Sequence, residues 1–283
     1  MLNSGLFTET FMVHAWISGT MVAILSAFVG FFVVIRGSAF VAHALPKAGF
    51  AGAAGAVLLG VNPLYGLSLF AVGGALLIGW IGKRERNDVI TALTLVAALG
   101  TGALFLALTN GYASGAYALL FGQIVGVSAP QVADTAVLGF VCLLGIAFLY
   151  RPLLLASISQ EIAQSRGVPV RLVEMAFLVV VGLAAAITVP VVGALLCFSL
   201  LIGPTAASSY LTCHPGKALV LALLFSLVTV WTSLVLAFFS GWPIGFFVSI
   251  IVGLLYICSR AVGFRYSGGN RLVRHREPAG AVR

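Results

Sequence analysis

Ser157-Ile158-Ser159-Gln160-Glu161-Ile162-Ala163-Gln164-Ser165-Arg166-Gly167-Val168-Pro169-Val170 is a polar island between two long apolar runs, 132–150 and 172–188. A run of about 20 apolar residues crosses a hydrocarbon core of about 30 Å as a single helix. The island is therefore a break between two spans. Its own residues spell a short helix. Ser157 or Ser159 suits the cap, Glu161 lies early, where a negative charge favours the helix dipole, and Gly167 and Pro169 end it abruptly. A plain connection has no use for a capped helix with a hard stop, so the island is expected to dock a soluble partner.

Working outward, runs of this kind recur over the whole chain. Nine candidate spans read as 11–35, 39–60, 63–82, 89–108, 132–150, 172–188, 191–210, 218–239 and 244–259. Mean hydropathy is +1.16, and only 8% of residues are charged, against about 25% in soluble domains. The fold class is an all-α polytopic bundle; the runs are too long and too continuous for barrel strands. The first run, from about Phe11, lacks a basic leader and is long enough to span, so it reads as a retained helix. Residues 1–260 are expected to form one transmembrane domain, and 261–283 a basic, disordered tail.

Charge sets an expected orientation. Arg36 follows the first span, Lys83, Arg84 and Arg86 the third, Arg151, Arg166 and Arg171 flank or enter the island, Lys217 follows the seventh, and Arg260, Arg265, Arg271, Arg274 and Arg276 close the chain. An external N-terminus and a cytoplasmic C-terminus put every Lys and Arg except Lys47 inside. The isoelectric point near 9.7 thus reflects loop charges and gives no reason to expect nucleic acid. Segment 110–130 is apolar but short. A crossing there would put the island outside, so it reads as an external or re-entrant helix, with ten spans as the alternative.

Inside the spans few residues carry chemistry. His43 and Lys47 stand four apart and share a helix face. Ionisable groups at this depth cost about 2.5–3.5 kcal/mol on insertion scales and mark paths or partners; the alternative is a lysine snorkelling to the interface. Pro46, Pro190 and Pro204 lie in or beside spans, where each removes a backbone donor and favours a kink, and Pro204 is a candidate path residue. Gly49, Gly52 and Gly55, and then Gly73, Gly74 and Gly79, allow close helix approach, read first as packing within one chain. Glu174 is expected to pair with Arg171, Asp134 to open the fifth span, and Cys142, Cys197, Cys213 and Cys258 to be small packing residues. There is no G-x-x-x-x-G-K-[ST], HExxH or Gly-x-Ser-x-Gly. No enzyme site is expected, and an ATPase driving this chain would be a separate polypeptide.

Several segments together resemble the permease subunits of ABC-type divalent metal importers, the bacterial zinc and manganese uptake group. Phe31-Phe32-Val33-Val34-Ile35-Arg36 is similar to that family's first-span end, and Leu119-Leu120-Phe121-Gly122-Gln123-Ile124-Val125-Gly126-Val127-Ser128 to its L-F-G-x-I-L-G-V-S run. The island is similar to its coupling segment. Val192-Gly193-Ala194-Leu195-Leu196 and Leu200-Leu201-Ile202-Gly203-Pro204-Thr205-Ala206-Ala207 resemble its V-G-x-L-L and L-L-I-x-P-A-A-x patterns, and Gly241-Trp242-Pro243-Ile244-Gly245 its D-x-P-T-G.

The resemblance implies a multi-pass protein of the bacterial plasma membrane, surrounded by lipid and paired with a second permease copy. It also implies a cytoplasmic ABC ATPase dimer that binds ATP and Mg, and an extracytoplasmic substrate-binding protein. No cofactor is implied in this chain. Gln160, Glu161, Ala163, Gly167 and Pro169 would form the ATPase-coupling helix. His43 and Lys47 fall where the family has Asp and His as path ligands, and Gly241 replaces an Asp. That departure keeps one alternative beside divalent metal, an ABC permease for a chelated or non-metal substrate; a secondary carrier is a separate reading from another class.

Overall fold

The computed structural model describes residues 9–82, 87–109, 122, 128–194 and 196–266. All regular structure among them is helical: α1 Thr10–Ile35, α2 Ala39–Leu58, α3 Pro63–Ile81, α4 Asn87–Leu108, α5 Ala129–Ile158, α6 Gln160–Ser165, α7 Val170–Val192, α8 Cys197–Leu211, α9 Pro215–Ser240 and α10 Ile244–Tyr266. The all-α bundle expected from hydropathy is what forms. Seven helices are long and apolar enough to cross a membrane. The other two long elements fall short for physical reasons: α2 is diluted by His43, Pro46, Lys47 and its many small residues, and α8 has only 15 residues.

The short α8 corrects the span expected over 191–210. Val191 and Val192 finish α7, Gly193 turns the chain at φ +99°, and helix resumes at Cys197. At 1.5 Å per residue α8 covers about 22 Å, less than a full hydrocarbon core. Gly122, also at positive φ, sits against this break: a Cβ there would collide with the Val192–Gly193 backbone. Residues 128–130 of the segment expected to be external or re-entrant open α5; its other residues lie outside the described ones, as do Lys83, Arg84 and Arg86. So does the tail from 267 onward, whose disorder was expected. The last helix itself continues past 260, to Tyr266.

Burial ranks the helices. The spans of α1 and α7 are 67% and 72% buried, those of α4 and α5 only 11% and 17%, so α1 and α7 form the centre. Phe32 of α1 joins them, edge-to-face with Phe177 of α7 at 6.3 Å and with Tyr150 of α5 at 5.5 Å. Such aromatic pairs contribute about 0.5–1.5 kcal/mol each beyond their area. Antiparallel α9 lies along α1, where the Trp231 indole donates to Thr20 Oγ1 at 3.1 Å and meets Trp16 edge-on.

Of the glycines expected to pack helices within the chain, those of α2 do so, with partners the sequence did not single out. Gly52 of α2 crosses Gly66 of α3 backbone to backbone, Gly55 faces Phe105, and Gly49 faces Leu67. Of the α3 glycines expected to repeat this, Gly79 packs on Met175 and Leu178 while Gly73 faces open space. Cys142 and Cys197 are buried, and Cys213 and Cys258 are exposed.

Two charge expectations need correction. Glu174 pairs with Arg36 of α1, Nη2 to Oε1 at 3.5 Å, and Arg171 instead donates to the Trp80 carbonyl at 3.1 Å. The connection between α1 and α2 is short enough to bring Arg36 under α7, where its guanidinium also lies 5.8 Å from the Phe177 ring centroid. Asp134 does not open its span. The helix begins at Ala129, after Ser128 donates its amide to Gln131 Oε1 at 3.0 Å.

Candidate functional site

Two places hold the residues singled out above. The first is the island. Ser157 goes to α5, its hydroxyl donating back to the Leu153 carbonyl at 2.6 Å. Ser159 is the cap, its Oγ accepting from the Ile162 amide at 3.3 Å. What remains is the six-residue α6. Gly167 closes it at φ +76°, with the Gly167 amide donating to Gln164 O and the Val168 amide to Ala163 O. A side chain there would meet nothing within 4 Å, so the glycine is required by its left-handed backbone and not by crowding. Pro169 then caps α7.

A six-residue helix has too few hydrogen bonds to hold itself. Ala163 seats it: the methyl is buried against a small cluster with Ala156, Val170, Leu155 and Val168. With that face anchored, Glu161, Ile162, Gln164, Ser165, Arg166, Gly167 and Pro169 all point to solvent. Ile158 and Ile162 stay 74% and 49% exposed. Sequence reasoning missed these two; the signal was present, as β-branched apolar residues inside an otherwise polar segment.

A cleft of about 360 Å³ opens beside α6, lined among others by Arg36, Ser38, Asp88, Ser157, Gln160 and Glu174. It joins the ends of α1 and α5 to the starts of α2, α4, α6 and α7. The described Arg36, Arg151, Arg166, Arg171, Lys217 and Arg260 all lie at this end of the up-and-down bundle.

The second place is a face shared by α2 and α8. Most of α2 is buried, but Phe40 is exposed, and His43 and Lys47 are half-buried on the same side. Lys47 Nζ lies 2.7 Å from His43 Nε2. The imidazole stands edge-on to Phe198 of α8 at 4.8 Å, and Phe198, Ile202 and Ala206 continue the half-open face along α8. Pro204 is buried within α8. Among the described residues no three His, Cys, Asp or Glu come together as a metal-binding group.

Residues 8–263, spanning nearly all of this bundle, match the ABC 3 transport family. The chain belongs to that family. Similar relatives include the manganese transport system membrane protein MntC of Halalkalibacterium halodurans, 27% identical over 94% of this chain and 94% of the relative. The manganese import system permease protein ScaB of Streptococcus parasanguinis is 29% identical over 93% and 91%. The high-affinity zinc uptake system membrane protein ZnuB of Buchnera aphidicola is 22% identical over 86% and 93%.

Two solved structures share the fold. PsaBC from Streptococcus pneumoniae in complex with Fab has a TM-score of 0.83 at 22% identity, over 93% of this chain and 96% of that one. An inward-facing metal-chelate type ABC transporter has a TM-score of 0.65 at 16% identity, over 93% and 88%. The permease is thus a multi-pass membrane subunit of an ABC transporter, a transport component and not an enzyme, and a secondary carrier is set aside.

Proposed function

We propose that this chain is the permease of an importer for divalent metal ions, manganese or zinc, driven by ATP hydrolysis with Mg on separate ATPase subunits. What supports the metal is the set of relatives named for manganese and zinc, aligned over about nine-tenths of the chain. The observation that carries the ATP-driven part is α6: an anchored, sharply terminated helix with two exposed isoleucines at the basic end of the bundle. That end faces the cytoplasm of a bacterial plasma membrane, because inner loops carry the Lys and Arg excess; the N-terminus is outside and the C-terminus inside.

Gln160, Glu161, Ala163, Gly167 and Pro169 then belong to the helix that docks on the ATPase dimer, Ala163 as its anchor and Gly167 as its stop. A second copy of the chain covers the α2–α8 face, so that His43, Lys47 and the α8 segment around Pro204 border a path between copies. An extracytoplasmic binding protein delivers substrate at the opposite end, where the α7–α8 break and the α9–α10 turn lie. Alternating access follows from rocking the two copies as nucleotide binds and leaves.

The test is uptake. The permease, reconstituted in liposomes with its ATPase and binding protein, is expected to accumulate radiolabelled manganese or zinc in an ATP-dependent way. It is also expected to hydrolyse ATP faster when the loaded binding protein is present. ATP-driven uptake of some other solute with no uptake of either metal overturns the metal assignment and leaves the ABC permease intact.

A further inference from the structure

Pro169 closes the island and α7 begins at the next residue, Val170. The first turns of α7 are held from two sides. On one side, Glu174 and Phe177 stand three apart and share a helix face. Phe177 meets Phe32 of α1 edge-on at 6.3 Å, and Glu174 Oε1 lies 3.5 Å from Nη2 of Arg36, one turn further along α1. The Arg36 guanidinium also lies 5.8 Å from the Phe177 ring centroid, and its side chain is only 6% exposed. Two consecutive rungs, one aromatic and one ionic, therefore join α1 to α7. On the other side, Gly79 of α3 packs closely on Met175 and Leu178, and Arg171 donates to the Trp80 carbonyl at 3.1 Å. Trp80 is in the last turn of α3, where carbonyls have no helical partner. Ion pairs and hydrogen bonds with an exposed member contribute little to stability. What Arg171 and Glu174 share is position: they follow Pro169 by two and five residues. They grip α7 just past Gly167, whose φ of +76° marks the joint where the chain bends most readily.

We propose that Glu174 and Arg171 are positioning residues for energy coupling. They clamp the start of α7 to α1 and α3, so that a displacement of α6 reaches the centre of the bundle and is not absorbed at the α6–α7 joint. This rests on the reading that α6 docks on the ATPase. α1 and α7 are the most buried spans, so a push delivered to both moves the packed core as one body. Arg36 is the receiving group on α1, and it lines the cleft beside α6 together with Gln160. Neither Glu174 nor Arg171 belongs to α6 itself. Losing the clamp therefore leaves the docking surface intact, and with it ATPase binding and hydrolysis, while less substrate moves per ATP.

The experiment compares wild type with Glu174→Ala and Arg171→Met in the complete reconstituted complex, using manganese and zinc as probes. Arg171 is exposed, so Arg171→Met leaves the packing alone and keeps the test alive if Glu174→Ala does not fold. Both variants are expected to co-purify with the ATPase and hydrolyse ATP as wild type does. The metal moved per ATP is expected to fall roughly three- to thirtyfold, the range for substitutions along a coupled network. Glu174→Asp and Arg171→Lys, which keep the carboxylate and the donor, are expected to stay near wild type. A second readout needs no metal: hydrogen exchange with and without a non-hydrolysable ATP analogue. In wild type the analogue is expected to change exchange at 160–167 and at 31–36 of α1, and in the two variants only at 160–167. A wild-type ratio with wild-type exchange at 31–36 in both variants overturns the clamp. So does a lowered Tm with uptake and hydrolysis falling together at constant ratio, which a merely structural role predicts, and so does loss of the ATPase on purification. If wild type takes up neither metal, the metal reading fails, and the exchange pattern still decides the clamp.

Discussion

Gly52→Val is expected to abolish the folded permease, leaving aggregated protein in place of a monodisperse peak on size-exclusion chromatography. At the α2–α3 crossing the two backbones touch through glycine alone. A Cβ on Gly52 would overlap the Gly66 carbonyl and come 2.7 Å from Phe70 Cβ, and a Cβ on Gly66 would overlap the Gly52 carbonyl in return. Neither obstacle is a flexible side-chain tip, so the helices must part. Parting them also loosens Gly49 from Leu67. An extra methylene in a packed core costs about 1–3 kcal/mol when side chains can adjust. Here backbone meets backbone, and the loss is expected to exceed that range, against a total stability of about 5–15 kcal/mol. The control lies in the partner helix α3. Gly73 is exposed and a Cβ there meets nothing within 4 Å, so Gly73→Ala is expected to be neutral or to gain up to about 1 kcal/mol from helix propensity. A Gly52→Val protein with wild-type Tm would refute the crossing.

That contrast shows where sequence reading stops. Period and apolar length made the helices visible, and the density of glycine in α2 announced close packing. Which glycine meets which was not legible, because it depends on the crossing point of two helices and not on either helix alone. The same holds for charge. Glu174 has Arg171 three residues away, and helix geometry alone favours that pair; the tight α1–α2 turn instead delivers Arg36 from 138 positions away in the chain (174 minus 36).

Gly193 was quoted for its motif but not for its φ, and the break it makes moved the start of α8 and shortened that helix. The island was legible almost to the residue, since caps and stops act locally: Ser159, Gly167 and Pro169 each do what their chemistry dictates. His43 and Lys47 were recognisable as one face, whereas their direct contact depends on rotamers, with the edge of Phe198 set against the ring.

The proposed docking role of α6 gives the second large expectation. Ile162→Asp is expected to stop uptake while leaving the permease folded. Ile162 is half exposed on a helix whose opposite side is anchored, so the substitution changes the presented surface without entering the bundle. If Ile162 is the apolar anchor in the ATPase, burying a carboxylate there costs about 2 kcal/mol or more, roughly a 30-fold loss of affinity. Co-purification of the ATPase from detergent reads this directly. Ala163→Asp is expected to reach the same endpoint by another route. It puts a charge under α6, unseats the helix from Ala156 and Val170, and leaves every exposed residue unaltered. Gly167→Val acts on the stop: the backbone at φ +76° costs a β-branched residue about 1–2 kcal/mol or more, so α6 frays and its orientation is lost. Glu161→Lys reverses the charge in the first turn and is expected to weaken docking less than Ile162→Asp, since rim charges contribute less than a buried apolar anchor. Seated-but-altered and unaltered-but-unseated variants failing alike is the signature of docking through α6. Wild-type uptake from both Ile162→Asp and Ala163→Asp would mean that ATP hydrolysis reaches the bundle elsewhere.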